Sequence, residues 1–341
     1  MTRSVPQIVS VGAALLGVVL FVVTLFYIDL EETVDSARQL GLALPVILIP
    51  GTIWHLLRTW GWSIAFPDTA RPAMTRLFRV RLAADAIGFF TVRGVAGEPL
   101  KVLLLYDRVA PQVSTAAIAL ERLAFAVMGT ALAGVISLVA ITKLTMPGGW
   151  DTLFAMLAVG AVLLLVIVGF MARRRSEYYL EHIVYVLDRV TGKRLERHRV
   201  VRFILDVEHV LLDLLRGDRR RLVALTVLPI VCYMVMAAEV WLVFWAIQLP
   251  MSITQSLTVE TIARLASIAS AAVPGNIGTL EASNVAVVSA LGLAGGGSLA
   301  LARRIRALLW AALGLVLYPR PKSQPAPVNS QLPTSNSQGA R

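Results

Sequence analysis

The sequence predicts an all-α, polytopic membrane protein with about six full spans and two broken or re-entrant helix pairs. Three observations predict it. The chain is 57% hydrophobic and 16% charged over 341 residues, with mean hydropathy +0.73. Apolar windows run as long as residues 152–172, 21 positions without a charge, which is enough to cross a bilayer. These windows do not alternate apolar with polar residues, so a membrane β-barrel is excluded. Last, two further apolar stretches are interrupted by glycine and proline beside a glutamate, at 82–107 and 264–283.

The net charge of +11 sits in a few loops. In a membrane chain this clustering reports orientation before nucleic-acid binding, and it also suits contact with anionic lipid headgroups. The single cysteine, Cys232, excludes an intrachain disulfide. His55, His182, His198 and His209 show no metal-ligand spacing, so neither metal nor cofactor is expected.

The elements are expected in this order. Span one covers 11–28; it follows Arg3 without a cleavage pattern and reads as a retained helix. Span two covers about 40–57, with Pro45 and Pro50 suggesting a kink. Arg58, Arg71, Arg76, Arg79 and Arg81 then read as a cytoplasmic basic stretch, with Arg58 and Arg81 as interfacial anchors and Trp54, Trp60 and Trp62 as an aromatic belt. The interrupted segment 82–107 reads as two arms of about ten residues, each half a span. Span three is 115–142, with Glu121 and Arg122 about two turns in, and span four is 152–172, closed by Arg173, Arg174 and Arg175.

Residues 173–221 carry 13 Lys/Arg and 8 Asp/Glu. Within them Val200, Val201, Ile204, Val207, Leu211 and Leu214 recur at helical spacing. That is a cytoplasmic amphipathic hairpin, pairing 178–190 with 200–214. Span five is 222–247, with Glu239 near its middle. The second interrupted segment follows, then a glycine turn at 292–297 and a last apolar stretch at 299–318. The membrane domain is thus 1–318, and the Pro/Ser/Gln-rich tail 319–341 is expected to be disordered. A plasma (inner) membrane location is expected, with the N-terminus and the 173–221 loop cytoplasmic.

The two interrupted segments echo each other. At an offset of 183, Arg81, Leu82, Ala83, Ala86 and Glu98 fall on Arg264, Leu265, Ala266, Ala269 and Glu281. The helix breakers Gly94, Gly97 and Pro99 cluster around Glu98, and Pro274, Gly275 and Gly278 around Glu281. Paired interruptions in two halves of a membrane protein point to a transport site. By the charges, the two would form an inverted pseudo-repeat. The alternative lets 282–302 cross as one run and leaves Arg303, Arg304 and Arg306 cytoplasmic.

At these residues the chain resembles a known family, the transmembrane region of lysylphosphatidylglycerol synthases, or flippase-like membrane proteins. The resemblance rests on RGVAGEPLKVLLLYDR (93–108), IALERLAF (118–125) and VPGNIGTLEASNVAVVSALGL (273–293), and covers about residues 5–318. Arg93, Gly97, Glu98 and Lys101 match the family's first block, Glu121 and Arg122 its Glu-Arg pair, and Pro274, Gly275, Gly278 and Glu281 its break. Asn276 stands where a third glycine is common, and Phe125 where an acid is common. The resemblance implies movement of a lipid or lipid-linked headgroup between leaflets. No aminoacyltransferase domain accompanies these blocks, so lipid aminoacylation by this chain alone is not implied.

Arg93, Lys101, Arg122 and Arg264 are candidates to neutralise a phosphate, and Asn276 lies in the second break. Glu98, Glu121, Glu239 and Glu281 are candidates to hold those cations, meet an aminated headgroup or carry a coupling proton. Against these stands a purely structural reading as ion pairs within broken helices. No nucleophile–base pair appears, so an enzyme is not expected. The partners expected are membrane lipids with an anionic or aminated headgroup, with no nucleic acid. The rival to translocation is a scaffold that offers the basic hairpin to a cytoplasmic lipid- or glycan-assembly enzyme.

Overall fold

The computed structural model describes residues 40–91, 96–173, 179–191, 198–271, 273, 276 and 278–319. The expected first span, Arg93, Gly94, Pro274, Gly275, Arg174, Arg175 and the tail from 320 lie outside the described residues. The described residues contain eleven α-helices and no strand. They are α1 (Leu44–Ile64), α2 (Met74–Phe90), α3 (Gly97–Leu105), α4 (Pro111–Lys143), α5 (Trp150–Arg173) and α6 (Tyr179–Thr191). They continue with α7 (Arg199–Arg216), α8 (Arg219–Ala246), α9 (Ile253–Ala269), α10 (Thr279–Ala290) and α11 (Gly296–Val316).

Local chemistry explains several starts. Proline opens α1 and α4, where a missing N–H is harmless. Asp218 caps α8 by accepting from the Arg220 N–H. Ser252 and Gln255 form a reciprocal capping box at α9.

Three described helices, α4, α5 and α8, are long and apolar enough to cross a membrane. Helix α5 packs on α4 and leaves Met156, Val159, Val162, Leu163, Val166, Ile167 and Phe170 exposed. An apolar surface of that extent belongs against lipid.

The helices fall into two matching sets, α1–α4 and α8–α11. Each has a long helix, a 17-residue helix, a break, a short helix and another long helix. The packing is reciprocal: α1 lies on its counterpart α8, α2 on α11, and α4 on α9. This is the contact pattern of a two-fold relation. The counterparts α1 and α8 run antiparallel. Arg221 at the start of α8 pairs with Asp68 beyond the end of α1, while Gly61 meets Leu228, and Gly51 meets Arg306, the partner of Glu239. The expected inverted repeat therefore has a physical counterpart in the packing.

Several expectations need correction. The first interrupted segment is not two ten-residue arms, because its leading helix begins at Met74 and runs 17 residues before the break, and its second arm has nine. Arg58 and Arg81 are not interfacial anchors: both point inward and pair with Glu121. Trp62 belongs to the core and Trp54 lines a half-open cavity, so neither forms a belt; Trp60 stays exposed. Residues 282–302 do not cross as one run, since α10 ends at Ala290 and a turn with left-handed Gly292 and Gly295 reverses the chain before α11. The amphipathic helices expected at 178–190 and 200–214 are present as α6 and α7. Helix α7 docks on α4 and seats Val207, Val210, Leu211 and Leu214 in the core, while Val200 and Ile204 remain exposed.

Candidate functional site

The two breaks flank a half-open cavity of about 400 Å³, lined from α1, α2, α3, α4, α8, α9, α10 and α11. Its wall is unusually charged for a bundle of apolar helices. Arg58, Arg81, Lys101, Arg122, Arg264, Arg303 and Arg306 face Asp85, Glu98 and Glu260, and Trp54, His55 and Trp310 form an aromatic side. The His55 ring stacks on Trp310 at 4.3 Å and meets Trp54 edge-on at 4.8 Å.

In the first half the charges form one connected chain. Glu121 lies 2.9 Å from Arg58 and 3.4 Å from Arg81. Arg81 also donates to the Arg58 carbonyl at 3.1 Å and sits 3.5 Å from Asp85. Asp85 is 3.4 Å from Lys101, which donates to Glu98 at 3.0 Å. Arg122 donates to the same Glu98 oxygen from α4. Glu121 and Arg122 are adjacent but point to different partners, as side chains one residue apart on a helix must.

The second half repeats the scheme with the signs moved. Glu260 on α9 accepts from Arg264 at 2.7 Å and from Arg303 on α11 at 2.5 Å. Arg303 also donates to Asn284 at 3.0 Å. Glu281 accepts from the Gly278 N–H at 2.8 Å and from Arg304. Glu239, fully buried, lies 2.9 Å from Arg306, which also reaches the Met236 sulfur at 3.5 Å.

The strongest correspondence lies at the breaks. Glu98 and Glu281 each occupy the first turn of the short helix after a break, where the helix dipole favours a carboxylate. Each pairs with an arginine on the following long helix, 24 and 23 residues on. Glu98 lines the cavity, whereas Glu281 caps its own helix and leaves Leu280 and Asn276 as lining residues.

The breakers have separate reasons. A Cβ at Gly97 would stand 2.8 Å from the Ala84 carbonyl oxygen, so only glycine lets α3 lie this close to α2. Pro99 sits in the first turn of α3, where its missing donor is harmless. Gly278 (φ +81°) and Asn276 (φ +50°) take left-handed backbone, and Asn276 donates to Ser267 at 2.8 Å.

Of the expected residues, Glu98, Lys101, Arg122, Arg264 and Asn276 meet at the cavity, while Glu121, Glu239 and Glu281 stand behind it, each paired to an arginine. Sequence reasoning did not count Asp85, Glu260, Arg303, Arg306, His55 and Trp310 among the site residues, and weighed the arginines only for topology. The i,i+4 pairs Arg81–Asp85 and Glu260–Arg264, in otherwise apolar helices, were the available signal. Among the described residues, no group of three or more His, Cys, Asp or Glu side chains could hold a metal ion.

The sequence profile described as Lysylphosphatidylglycerol synthase TM region matches residues 11–316. No curated protein and no solved structure matches the chain.

Proposed function

The chain belongs to that transmembrane-region family, and from this premise we propose that it moves a lipid, or a lipid-linked headgroup, between the leaflets of the plasma membrane. The observation that carries the proposal is the charged, half-open cavity where two interrupted helices meet. A headgroup crossing the bilayer must exchange its water for fixed donors and charges, and such a wall supplies them. The N-terminus and the α6–α7 segment face the cytoplasm on this reading, following the basic loops. The chain acts as a carrier rather than an enzyme, with membrane lipids as its partners.

The test is purified full-length protein in liposomes carrying labelled lipids. Headgroup accessibility from outside should rise with time above that of empty vesicles for at least one lipid. Unchanged accessibility for every lipid tried refutes translocation. Glu98→Gln and Glu281→Gln should slow transport by about tenfold or more, the size of one lost charge-assisted hydrogen bond, with folded yield retained. Normal rates in both variants would remove these residues from the mechanism.

A further inference from the structure

The charges that line the cavity and stand directly behind it do not balance, and the imbalance is divided equally. The first half brings Arg58, Arg81, Lys101 and Arg122 against Asp85, Glu98 and Glu121. The second brings Arg264, Arg303, Arg304 and Arg306 against Glu239, Glu260 and Glu281. Each half is four cations to three carboxylates, so each contributes one formal positive charge with no counter-ion among these groups.

At the cavity wall itself, four buried arginine donors lack an acceptor against one buried carboxylate oxygen, Glu98 Oε2, that lacks a hydrogen-bonded donor; the Glu239 oxygens behind the wall also lack one. The Nε–H groups of Arg58, Arg81, Arg303 and Arg306, two from each half, are buried without a hydrogen-bonded acceptor. All four residues line the same cavity. Unmatched positive charge around a half-open cavity and unmatched buried donors are both unfavourable, and one ligand removes both penalties. It must be an anion with two charges and several acceptor oxygens. A lipid with a net positive head, such as an aminoacylated phosphatidylglycerol, would add to the imbalance, and a phosphodiester with one charge would correct half of it.

We infer that the cavity is built for a doubly charged phosphoryl headgroup, of which a lipid phosphomonoester is the simplest example. The inference rests on reading the cavity as a headgroup site. Cations of both halves line the cavity, Arg58, Arg81, Lys101 and Arg122 from the first and Arg264, Arg303 and Arg306 from the second, so the ligand is held by both halves of the repeat. The phosphoryl dianion could also come from free phosphate, and the volume of about 400 Å³ leaves room for more than one phosphate group.

The experiment measures ligand-induced stabilisation of the full chain in detergent, with four probes in parallel: short-chain phosphatidic acid, phosphatidylglycerol of the same chain length, lysylphosphatidylglycerol, and inorganic phosphate. Phosphatidic acid should bind about tenfold or more tightly than phosphatidylglycerol, the effect of one added charge near a partly buried cation. Its advantage should shrink below about pH 6, where a phosphomonoester loses its second charge. Arg306→Gln should remove the preference; the four-probe comparison on the unaltered chain stands even if that variant fails to fold. Equal or tighter binding of phosphatidylglycerol or lysylphosphatidylglycerol overturns the inference. A shift from inorganic phosphate as large as that from phosphatidic acid overturns the lipid assignment. If liposomes show transport but prefer a singly charged lipid, translocation survives and this inference fails. If phosphatidic acid binds selectively but nothing is transported, the reverse holds.

Discussion

Glu121 holds two guanidinium groups at once, and both belong to residues that sequence alone placed at an interface. Arg58 and Arg81 followed apolar runs and were surrounded in sequence by other arginines, so a cytoplasmic loop was the simpler reading. What sequence did not show is that α2 begins at Met74, which carries Arg81 two turns into the bundle. Once inside, each arginine requires a carboxylate, and Glu121 supplies it. Glu121→Gln should therefore cost about 3–5 kcal/mol, because it strands buried charge rather than removing a surface contact. A fall in the denaturation midpoint of the purified protein in detergent measures it; a shift near zero would mean that Arg58 and Arg81 find other acceptors. The glutamates beside glycine and proline, by contrast, were legible from residue types alone. An acid next to a helix break inside an apolar segment is too costly to stand there without a cation or a ligand to meet it. Glu98 and Glu281 both sit in the first turn after a break, each with its arginine.

Among elements, the long apolar helices and the amphipathic pair α6 and α7 were legible, and the short helices beside the breaks were not. Helices α4, α5 and α8 begin and end within four residues of their expected bounds, since an uninterrupted apolar run leaves little choice of length. The partners of each helix were not legible, because close approach depends on single glycines whose role appears only in three dimensions. Gly314 shows this on α11: a Cβ there would overlap the Leu82 carbonyl oxygen of α2. Below that crossing, Arg79 donates to the Leu317 carbonyl at 3.1 Å. Gly314→Ala should force α2 and α11 apart at a cost of about 1–3 kcal/mol. Gly160→Ala on α5, where an added Cβ meets nothing within 4 Å, is the control and should be neutral or slightly stabilising. Thermal unfolding of the two variants side by side decides it; equal midpoints would show that the α2–α11 crossing yields without strain.

At the scale of the whole molecule, the 183-residue offset is weak in sequence, with few identical positions in an Ala- and Leu-rich chain. It becomes plain in the packing, where α1–α8, α2–α11 and α4–α9 contacts are reciprocal. The ion pairs beside the breaks follow the same rule. Glu98–Arg122 and Glu281–Arg304 are equivalent tethers between a short helix and the long helix after it. Breaking one or the other should therefore loosen opposite sides of the cavity. With Cys232 replaced by serine and a cysteine at Ala307, which lines the cavity, Arg122→Gln and Arg304→Gln should raise labelling by an impermeant maleimide from opposite faces of oriented vesicles. Increases from the same face in both variants would contradict the two-fold scheme.

The antiparallel relation between α1 and α8 has an energetic consequence. If the first half took the shape of the second and the second that of the first, the exchanged molecule would hold the same kinds of helix contacts with its opening turned over. If the chain translocates lipid as proposed, two such states of similar energy would need no external energy source to be visited, and a concentration difference alone would set the net flow. What breaks the degeneracy is the insert between the halves. Helix α7 seats Leu211 and Leu214 against the first set of helices and has no counterpart on the second among the described residues. The resting balance between the two openings is then written in how firmly that one amphipathic helix stays docked, a quantity of a few kilocalories per mole that a change at a surface helix can reset.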